Sequence, residues 1–313
     1  MFYFNFNCFV FKAQVLLIKF IFIILKNNMN LVKSSNLFFK ELVFGSHLSS
    51  IGAGSGILLS VLLVLGQEIN GLLLISVYLA LQVIYNYDHF SDLQNEDDTN
   101  GERNNYLKRK RDPLFLLIFY IVLLAFISLT VSFNTFLFFI LFVFGGALYT
   151  EKFKRVTKRI PFFKNFYVSL FFAILPLSII FSYERIEIIP LILILLFVFT
   201  RVLLNTIYFD IKDVASDKKM GLKTVPVIYG HKRTINILHL LNVISSLIIF
   251  FGVFSNELPV YSLPLSLLFL YSFYYLKKSK KEDGKIKTLS YLVADGEYLL
   301  WPMIIIISKF LIQ

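Results

Sequence analysis

The sequence predicts an all-α, polytopic membrane protein with about nine transmembrane helices, bundled around a cavity that opens laterally to lipid. Of the 313 residues, 57% are hydrophobic and only 16% are charged, a balance that excludes a water-soluble globular fold. The apolar residues lie in stretches of about 20, the length that an α-helix needs to cross a hydrocarbon core of about 30 Å. Charged loops separate these stretches, so the pattern indicates successive spans.

The first eight spans are predicted in pairs. A short turn joins the two members of each pair, near Gln67, near Phe133, at 182–187 and near Asn256, and a long basic loop follows each pair. Each span ends where charged or turn-forming residues replace the apolar run. In chain order, the predicted spans are 45–66, 69–87, 113–132, 134–150, 165–182, 186–208, 234–253, 259–276 and 288–308.

Basic residues are concentrated in every second connection. The loops 103–111, 152–164, 212–233 and 277–287 hold most of the 31 Lys and Arg residues, whereas the intervening turns hold only Arg185. Cytoplasmic loops carry an excess of Lys and Arg, so we expect a protein of the cell (inner) membrane whose basic loops face the cytoplasm. The amino terminus is then cytoplasmic and the carboxyl terminus outside. Since the net charge of +11 is mainly this topology signal, we expect contacts with membrane lipids and no nucleic-acid binding.

Residues 1–28 are set apart from the predicted domain, 29–313. They combine Phe, Ile, Asn and Lys without a small-residue cleavage site, unlike a signal peptide. Two interpretations stay open: Met29 is the true start, or the leader forms an interfacial helix or an additional span. The single cysteine, Cys8, excludes a disulfide framework and a cysteine-based metal site.

Two acidic clusters lie about 120 residues apart, each just beyond an apolar run. Their spacings, i, i+4, i+8 and i, i+3, i+7, place each triplet on one face of a helix that extends from the membrane. Two facing rows of carboxylates predict a site for divalent cations. The triplets are Asp88, Asp92 and Glu96, followed by Asp210, Asp213 and Asp217.

The second acidic cluster belongs to a longer motif. The segment from Tyr208 to Gly230 reads YFDIKDVASDKKMGLKTVPVIYG. It resembles the UbiA superfamily of intramembrane prenyltransferases, in which this loop is close to D-x-x-D-x-x-x-D, then a basic residue, a glycine and K-T-x-P-V. Ser216 stands where glycine is usual. The matching residues are Asp210, Asp213, Asp217, Lys218, Gly221, Lys223, Thr224, Pro226 and Val227.

Two further segments extend the resemblance to nearly the whole chain from about Met29. LYTEKFKRVTKRIPFFKNFYVS, residues 148–169, is similar to Y-S-x-x-L-K-R followed by P-x-x-K-N. YNYDHFSDLQNEDDTNGER, residues 85–103, is similar to N-D-x-x-D-x-x-x-D followed by N-x-P-x-R. This segment departs from the pattern, because Asp88 stands at the leading Asn and Gly101 replaces Pro.

The resemblance implies Mg²⁺-dependent transfer of a polyprenyl group from a polyprenyl diphosphate to an acceptor within the membrane, with release of diphosphate. It implies that Asp88, Asp92 and Glu96 hold one Mg²⁺ and that Asp213 and Asp217 hold a second, with Asp210 orienting or completing that group. Lys154 is the expected catalytic cation, and Arg155 is an equally basic neighbour. The expected diphosphate-binding residues are Arg103, Tyr149, Arg155, Asn165 and Lys218.

The acceptor is left open between a hydrophobic aromatic compound and a glycerol lipid, and we lean to an aromatic acceptor because such family members are common. Asp295 and Glu297 occur inside the last predicted span. Acidic residues inside a membrane are costly and usually functional. We expect these two either to line the acceptor cavity or to form helix–helix hydrogen bonds.

Two other functions compete with prenyl transfer. The first is a transporter or other cation-binding membrane protein without catalysis, whose acids bind a coupling ion. Transporter acids usually lie near the bilayer midplane, whereas the two clusters here lie at helix ends beside Lys and Arg residues. The second is an inactive UbiA-like scaffold, which the altered first acidic segment suggests.

Overall fold

The structure is a computed structural model that describes residues 37–94, 113–279 and 293–312. All regular secondary structure in these ranges is helical, which confirms the predicted all-α class. Seven helical stretches within them are long and apolar enough to cross a membrane. The chain is therefore a multi-pass membrane protein.

The helices of the described ranges are numbered here in chain order. α5 continues as a π-helical turn at Tyr149–Phe153, α6 ends in a 3₁₀ segment at Leu175–Phe181, and a 3₁₀ helix at Val260–Leu267 precedes α9. The helices are α1 (Leu37–Phe44), α2 (His47–Val64), α3 (Gly71–Gln94), α4 (Pro113–Val131), α5 (Phe133–Leu148), α6 (Phe163–Phe181), α7 (Ile188–Lys219), α8 (Val225–Phe254), α9 (Leu268–Lys278) and α10 (Glu297–Ile312).

The first seven predicted spans correspond to α2–α8. The largest difference at a carboxyl end is in α7, which continues to Lys219, eleven residues past the predicted end at 208. This extension places the second acidic triplet on the helix itself. The predicted span 259–276 falls on α9 with its 3₁₀ segment. The predicted span 288–308 overlaps α10 from Glu297 onward, and its first five residues lie outside the described ranges, so the exact count of nine stays a prediction.

The packed interior of the bundle contains aliphatic side chains and a few large aromatic ones. Ile57, Leu58 and Leu62 of α2 are fully buried. Trp301 of α10 is also fully buried, and its ring centroid lies 4.9 Å from that of Phe197 on α7. The outer faces of α4, α5 and α8 instead expose large apolar side chains, as expected for surfaces in contact with lipid tails.

A buried ion pair joins the second half of the bundle. Arg201 of α7 binds Glu297 of α10, and the two side chains are 1% and 4% exposed. The same guanidinium donates to Asn242 Oδ1 on α8 (2.7 Å) and to Ser272 Oγ on α9 (2.6 Å). Because buried charges are tolerated when they are paired and hydrogen-bonded, this cluster connects four helices at a defined register. Of the two alternatives for Glu297, the structure shows contacts with other helices.

Candidate active site

A cavity of about 340 Å³ lies between α1, α2, α3, α6, α7 and the start of α10. Its wall includes Asp88 of α3 together with Asp210 and Asp213 of α7. One member of the first acidic triplet and two of the second therefore line the same cavity. Tyr149, Lys164 and Lys212 line the cavity beside them.

Asp210 is the most enclosed of these acids. Its side chain is 1% exposed, and both of its oxygens are bound. Lys164 Nζ donates to Oδ1 at 2.6 Å, and Asn165 Nδ2 donates to Oδ2 at 2.7 Å. The two partners are consecutive residues at the start of α6, so one turn of helix neutralises and orients this carboxylate.

The loop before α6 is fixed by hydrogen bonds to the loop after α7. Lys223 N donates to the carbonyl of Thr157 (3.0 Å), and Phe162 N donates to the carbonyl of Lys223 (3.0 Å). The hydroxyl of the buried Thr157 accepts from the backbone N–H of Lys164 at 3.1 Å. The loop after α7 turns at Gly221, whose φ of 70° favours glycine. These bonds join the two segments that carry the sequence motifs and place Lys164 beside Asp210.

The other three acids also have hydrogen-bond partners. Asp213 is about one-third exposed and accepts from Lys212 Nζ at 2.8 Å. Asp88 Oδ1 accepts from the Thr150 hydroxyl at 3.3 Å. Asp217 is buried, and its Oδ2 accepts from the hydroxyl of Thr224 at 3.0 Å, across the turn between α7 and α8.

Tyr149 lies where α5 changes from α-helical to π-helical geometry. π-Helical turns are frequent at functional sites, since the extra residue changes the direction of the side chains. The ring of Tyr149 stacks on that of Tyr167 at a centroid distance of 5.2 Å. This contact orients Tyr149 while it lines the cavity.

Asp295 also faces the cavity. Its Oδ2 accepts a hydrogen bond from the hydroxyl of Ser49 on α2 at 2.7 Å. Asp295 therefore lines the cavity and also forms a hydrogen bond to another helix.

A family model accounts for this arrangement. Residues 107–294 match the model described as the UbiA prenyltransferase family, and they include the second acidic triplet and the segment that carries Lys164. The chain belongs to the UbiA prenyltransferase family. The matched region begins after the first acidic segment, where the sequence departs from the pattern at Asp88 and Gly101.

Solved structures share the fold of this UbiA family member. A UbiA homologue from Archaeoglobus fulgidus matches with a TM-score of 0.61 at 16% identity, over 87% of this chain and 99% of that one. A structure of an A. fulgidus UbiA homologue bound to DMAPP and Mg²⁺ matches with a TM-score of 0.60 at 14% identity, over 85% and 98% of the two chains.

A curated relative is similar over a shorter region. Digeranylgeranylglyceryl phosphate synthase of Methanosphaera stadtmanae is 29% identical over 100 residues, which are 31% of this chain and 37% of the relative. The chain thus matches little more than a third of that relative's length.

The UbiA-family site fits a bound Mg²⁺ by the chemistry of its donors. Mg²⁺ prefers oxygen ligands and often binds through one or two carboxylates together with phosphate oxygens. Asp88, Asp210 and Asp213 supply carboxylates to one cavity. Beside them, the buried Oδ1 of Asn165 has no hydrogen-bond partner within the described ranges. Among the described side chains, however, no group of three His, Cys, Asp or Glu residues forms a metal site by itself.

Several predicted site residues stay untested. Glu96 and Arg103 lie outside the described residues, and of Asp92 and Lys154 only the backbone is described. Arg155 and Lys218 are exposed side chains. Their predicted roles in binding metal or diphosphate remain predictions, as do those of Asp217 and Asn165.

Sequence reasoning missed Lys164 and Lys212 as site residues, because both look like members of basic topology loops. For Lys164, one signal was present: it is the Lys of the P-x-x-K-N pattern, next to Asn165.

Proposed function

We propose that this protein transfers a polyprenyl group from a polyprenyl diphosphate to an acceptor within the membrane, in a Mg²⁺-dependent reaction that releases diphosphate. The observation that carries the proposal is the shared cavity of Asp88, Asp210 and Asp213 with the cations Lys164 and Lys212, in a chain of the UbiA prenyltransferase family. The homologue bound to DMAPP and Mg²⁺ supports both the donor class and the metal.

The charged residues act on the diphosphate end of the donor. Mg²⁺ held by the carboxylates would neutralise the diphosphate and stabilise it as a leaving group. Lys164 and Lys212 supply positive charge to phosphate oxygens, and the hydroxyl of Tyr149 can donate a hydrogen bond to them. Electrostatic interactions of this kind are strong because the site lies within a low-dielectric bundle.

Apolar side chains act on the other end of the donor. Val168, Phe172, Val202 and Phe209 line the cavity beside the charged residues. Loss of diphosphate leaves an allylic cation, which water would capture, so the reaction needs an environment that excludes water. Aromatic rings also stabilise a nearby cation through their faces.

The acceptor is the finer part of the proposal. The name of the curated relative describes a product in which glyceryl phosphate carries two geranylgeranyl groups, which favours a glycerol lipid. The aromatic acceptor expected from the sequence is the competing choice. The assay therefore includes both glycerol-lipid and aromatic acceptors.

The test uses the full chain, purified in detergent, with Mg²⁺, labelled geranylgeranyl diphosphate and a panel of acceptors. We expect Mg²⁺-dependent release of diphosphate and a prenylated product. The variants Asp213→Ala and Asp92→Ala should lower turnover at least about 100-fold, because loss of several kcal/mol of charge stabilisation costs tenfold per 1.36 kcal/mol. Both variants should stay folded and inserted, since the helices do not depend on these charges.

The matched control is Glu184→Ala, which removes an exposed acid from the turn between α6 and α7 and should leave turnover unchanged. Wild-type turnover in Asp213→Ala would contradict the assignment. Mg²⁺ binding without any release of diphosphate would instead favour the transporter or the inactive scaffold.

A further inference from the structure

Two carboxylates near the start of α10 have different surroundings. Glu297 is buried and bound by Arg201, so its charge is matched inside the bundle. Asp295 lines the cavity, and two neutral groups are hydrogen-bonded to its carboxylate, the hydroxyl of Ser49 and the side-chain amide of Asn205. An ionisable side chain at such a position in a membrane protein is costly and commonly marks a substrate pathway. Glu297 thus has a direct ionic partner, whereas the groups that hydrogen-bond to Asp295 are neutral.

Asp295 lies at a different level of the cavity from the acids of α7. The carbonyl of the preceding residue, Ala294, accepts a hydrogen bond from Asn205 Nδ2 at 3.2 Å, which places Asp295 near the level of Asn205 on α7. Asn205 precedes Asp210 by five residues, so the two levels are about 7.5 Å apart along the helix axis, at 1.5 Å per residue. The cavity thus presents one carboxylate beside Lys164 and a second carboxylate farther into the bundle.

The cavity that holds the second carboxylate combines apolar side chains with a few polar groups. Phe172, Val202 and Tyr298 line the cavity together with Asp295 and Asn205. Pockets for small molecules are typically apolar with a few converging polar groups that fix the orientation of the ligand. Because an ionised carboxylate is only a hydrogen-bond acceptor, such a pocket selects a hydrophobic molecule that presents an O–H donor.

We propose that Asp295 binds the hydroxyl group of the acceptor and takes its proton during transfer. The proposal rests on prenyl transfer as the function, and it specifies the acceptor as an alcohol or phenol that is alkylated at its hydroxyl oxygen. The C1–O bond of the polyprenyl diphosphate breaks, and its electron pair leaves with the diphosphate. The hydroxyl oxygen forms the new bond to C1, and its proton passes to the Asp295 carboxylate, which later releases it to solvent.

The experiment compares the wild type with Asp295→Asn, which keeps the size of the side chain and removes the proton acceptor. The probes are labelled geranylgeranyl diphosphate as donor, geranylgeranylglyceryl phosphate as an alcohol and 4-hydroxybenzoate as a phenol. We expect Asp295→Asn to lower product formation at least about 100-fold, within the range for loss of a general base. Mg²⁺-dependent equilibrium binding of the donor should stay within about twofold of the wild type.

Two further variants separate chemistry from folding. Asp295→Glu keeps the carboxylate, and its rate of product formation should be at least about tenfold higher than that of Asp295→Asn. Ser49→Ala removes one hydrogen bond to Asp295 but keeps the proton acceptor, and it should lower product formation less than Asp295→Asn does.

Three results would overturn the inference: wild-type product formation by Asp295→Asn, loss of donor binding in that variant, or a product in which the new bond joins a ring carbon. Failure of the proposed function has a different signature. In that case the wild type itself would show neither Mg²⁺-dependent donor binding nor transfer to any acceptor.

Discussion

Lys164 is one of six cations in the loop from Lys152 to Lys164, and its ammonium group binds the buried carboxylate of Asp210. Arg155 and Lys158 of the same loop are exposed. The loop is fixed at its end by the bond from the Lys164 backbone N–H to the Thr157 hydroxyl, and Phe162 and Thr157 are hydrogen-bonded to Lys223 in the segment after α7. A buried carboxylate without a cation is strongly unfavourable, so Lys164 keeps Asp210 in place within the cavity wall.

This ion pair predicts an order of stabilities. Lys164→Met leaves the Asp210 charge buried without its cation, and it should lower the free energy of unfolding by about 3–5 kcal/mol. The double variant Lys164→Met/Asp210→Asn removes both charges and should be more stable than Lys164→Met alone. Thermal unfolding in detergent, monitored by circular dichroism, measures the order of stability of the variants.

The control for this series is Lys158→Met, in the same loop but exposed. It should shift the free energy of unfolding by no more than about 0.5 kcal/mol. If Lys164→Met unfolds at the same temperature as Lys158→Met, the pair does not stabilise the site.

The acids of the site could be predicted from sequence, and their partners could not. Asp210 and Asp213 stand out because carboxylates are rare next to an apolar run, and their spacing is local. Lys164 pairs with Asp210 across 46 residues, and nothing local separates it from the other cations of its loop. Asp295 and Glu297 were equally ambiguous in sequence, since their surroundings come from α2 and α7.

Individual helices depend on close approach at small residues. A Cβ atom on Gly146 of α5 would lie 2.7 Å from the side chain of Ile84 on α3, closer than van der Waals contact allows. The backbone of α5 therefore packs directly on that side chain. The sequence shows a Gly–Gly pair inside an apolar run, but the neighbour that requires Gly146 lies on another helix.

Gly146→Ala should lower the free energy of unfolding by about 1–3 kcal/mol, as expected for an overpacked interface. The double variant Gly146→Ala/Ile84→Ala should cost less than the sum of the two single changes, because truncation of Ile84 makes room for the added methyl group. Gly71→Ala is the matched control, since its Cβ would meet no atom within 4 Å. Additive effects in the double variant would exclude the proposed clash.

The start of α8 shows a limit of prediction at this scale. The predicted span begins at 234, after His231, Lys232 and Arg233, but helical structure begins at Val225. Gly230 interrupts α8 with φ 73° and ψ 170°, a conformation that glycine adopts without strain. The long helical stretch that continues to Phe254 therefore begins just after Gly230, close to the predicted start at 234, and the short helical stretch before Gly230 is the part that the sequence did not predict.

The charge distribution of the whole molecule predicts its orientation. Cysteines are introduced one at a time into a Cys8→Ser background, at the exposed Lys158 of a basic loop or at the exposed Ser255 of an intervening turn. In intact cells a membrane-impermeant maleimide should label the Ser255→Cys protein and should label the Lys158→Cys protein only after permeabilisation, because basic loops stay in the cytoplasm. The reverse labelling pattern would place the candidate site outside.

The buried pair of Arg201 and Glu297 has a consequence for biogenesis. The two residues are 96 positions apart, and translation proceeds at about 5–20 residues per second, so the ribosome adds Glu297 about 5–20 s after Arg201. During that interval the guanidinium lacks its counter-ion. Maturation of the earlier helices therefore has to wait for the last one, and a nascent chain arrested before α10 would expose an uncompensated charge to membrane quality control.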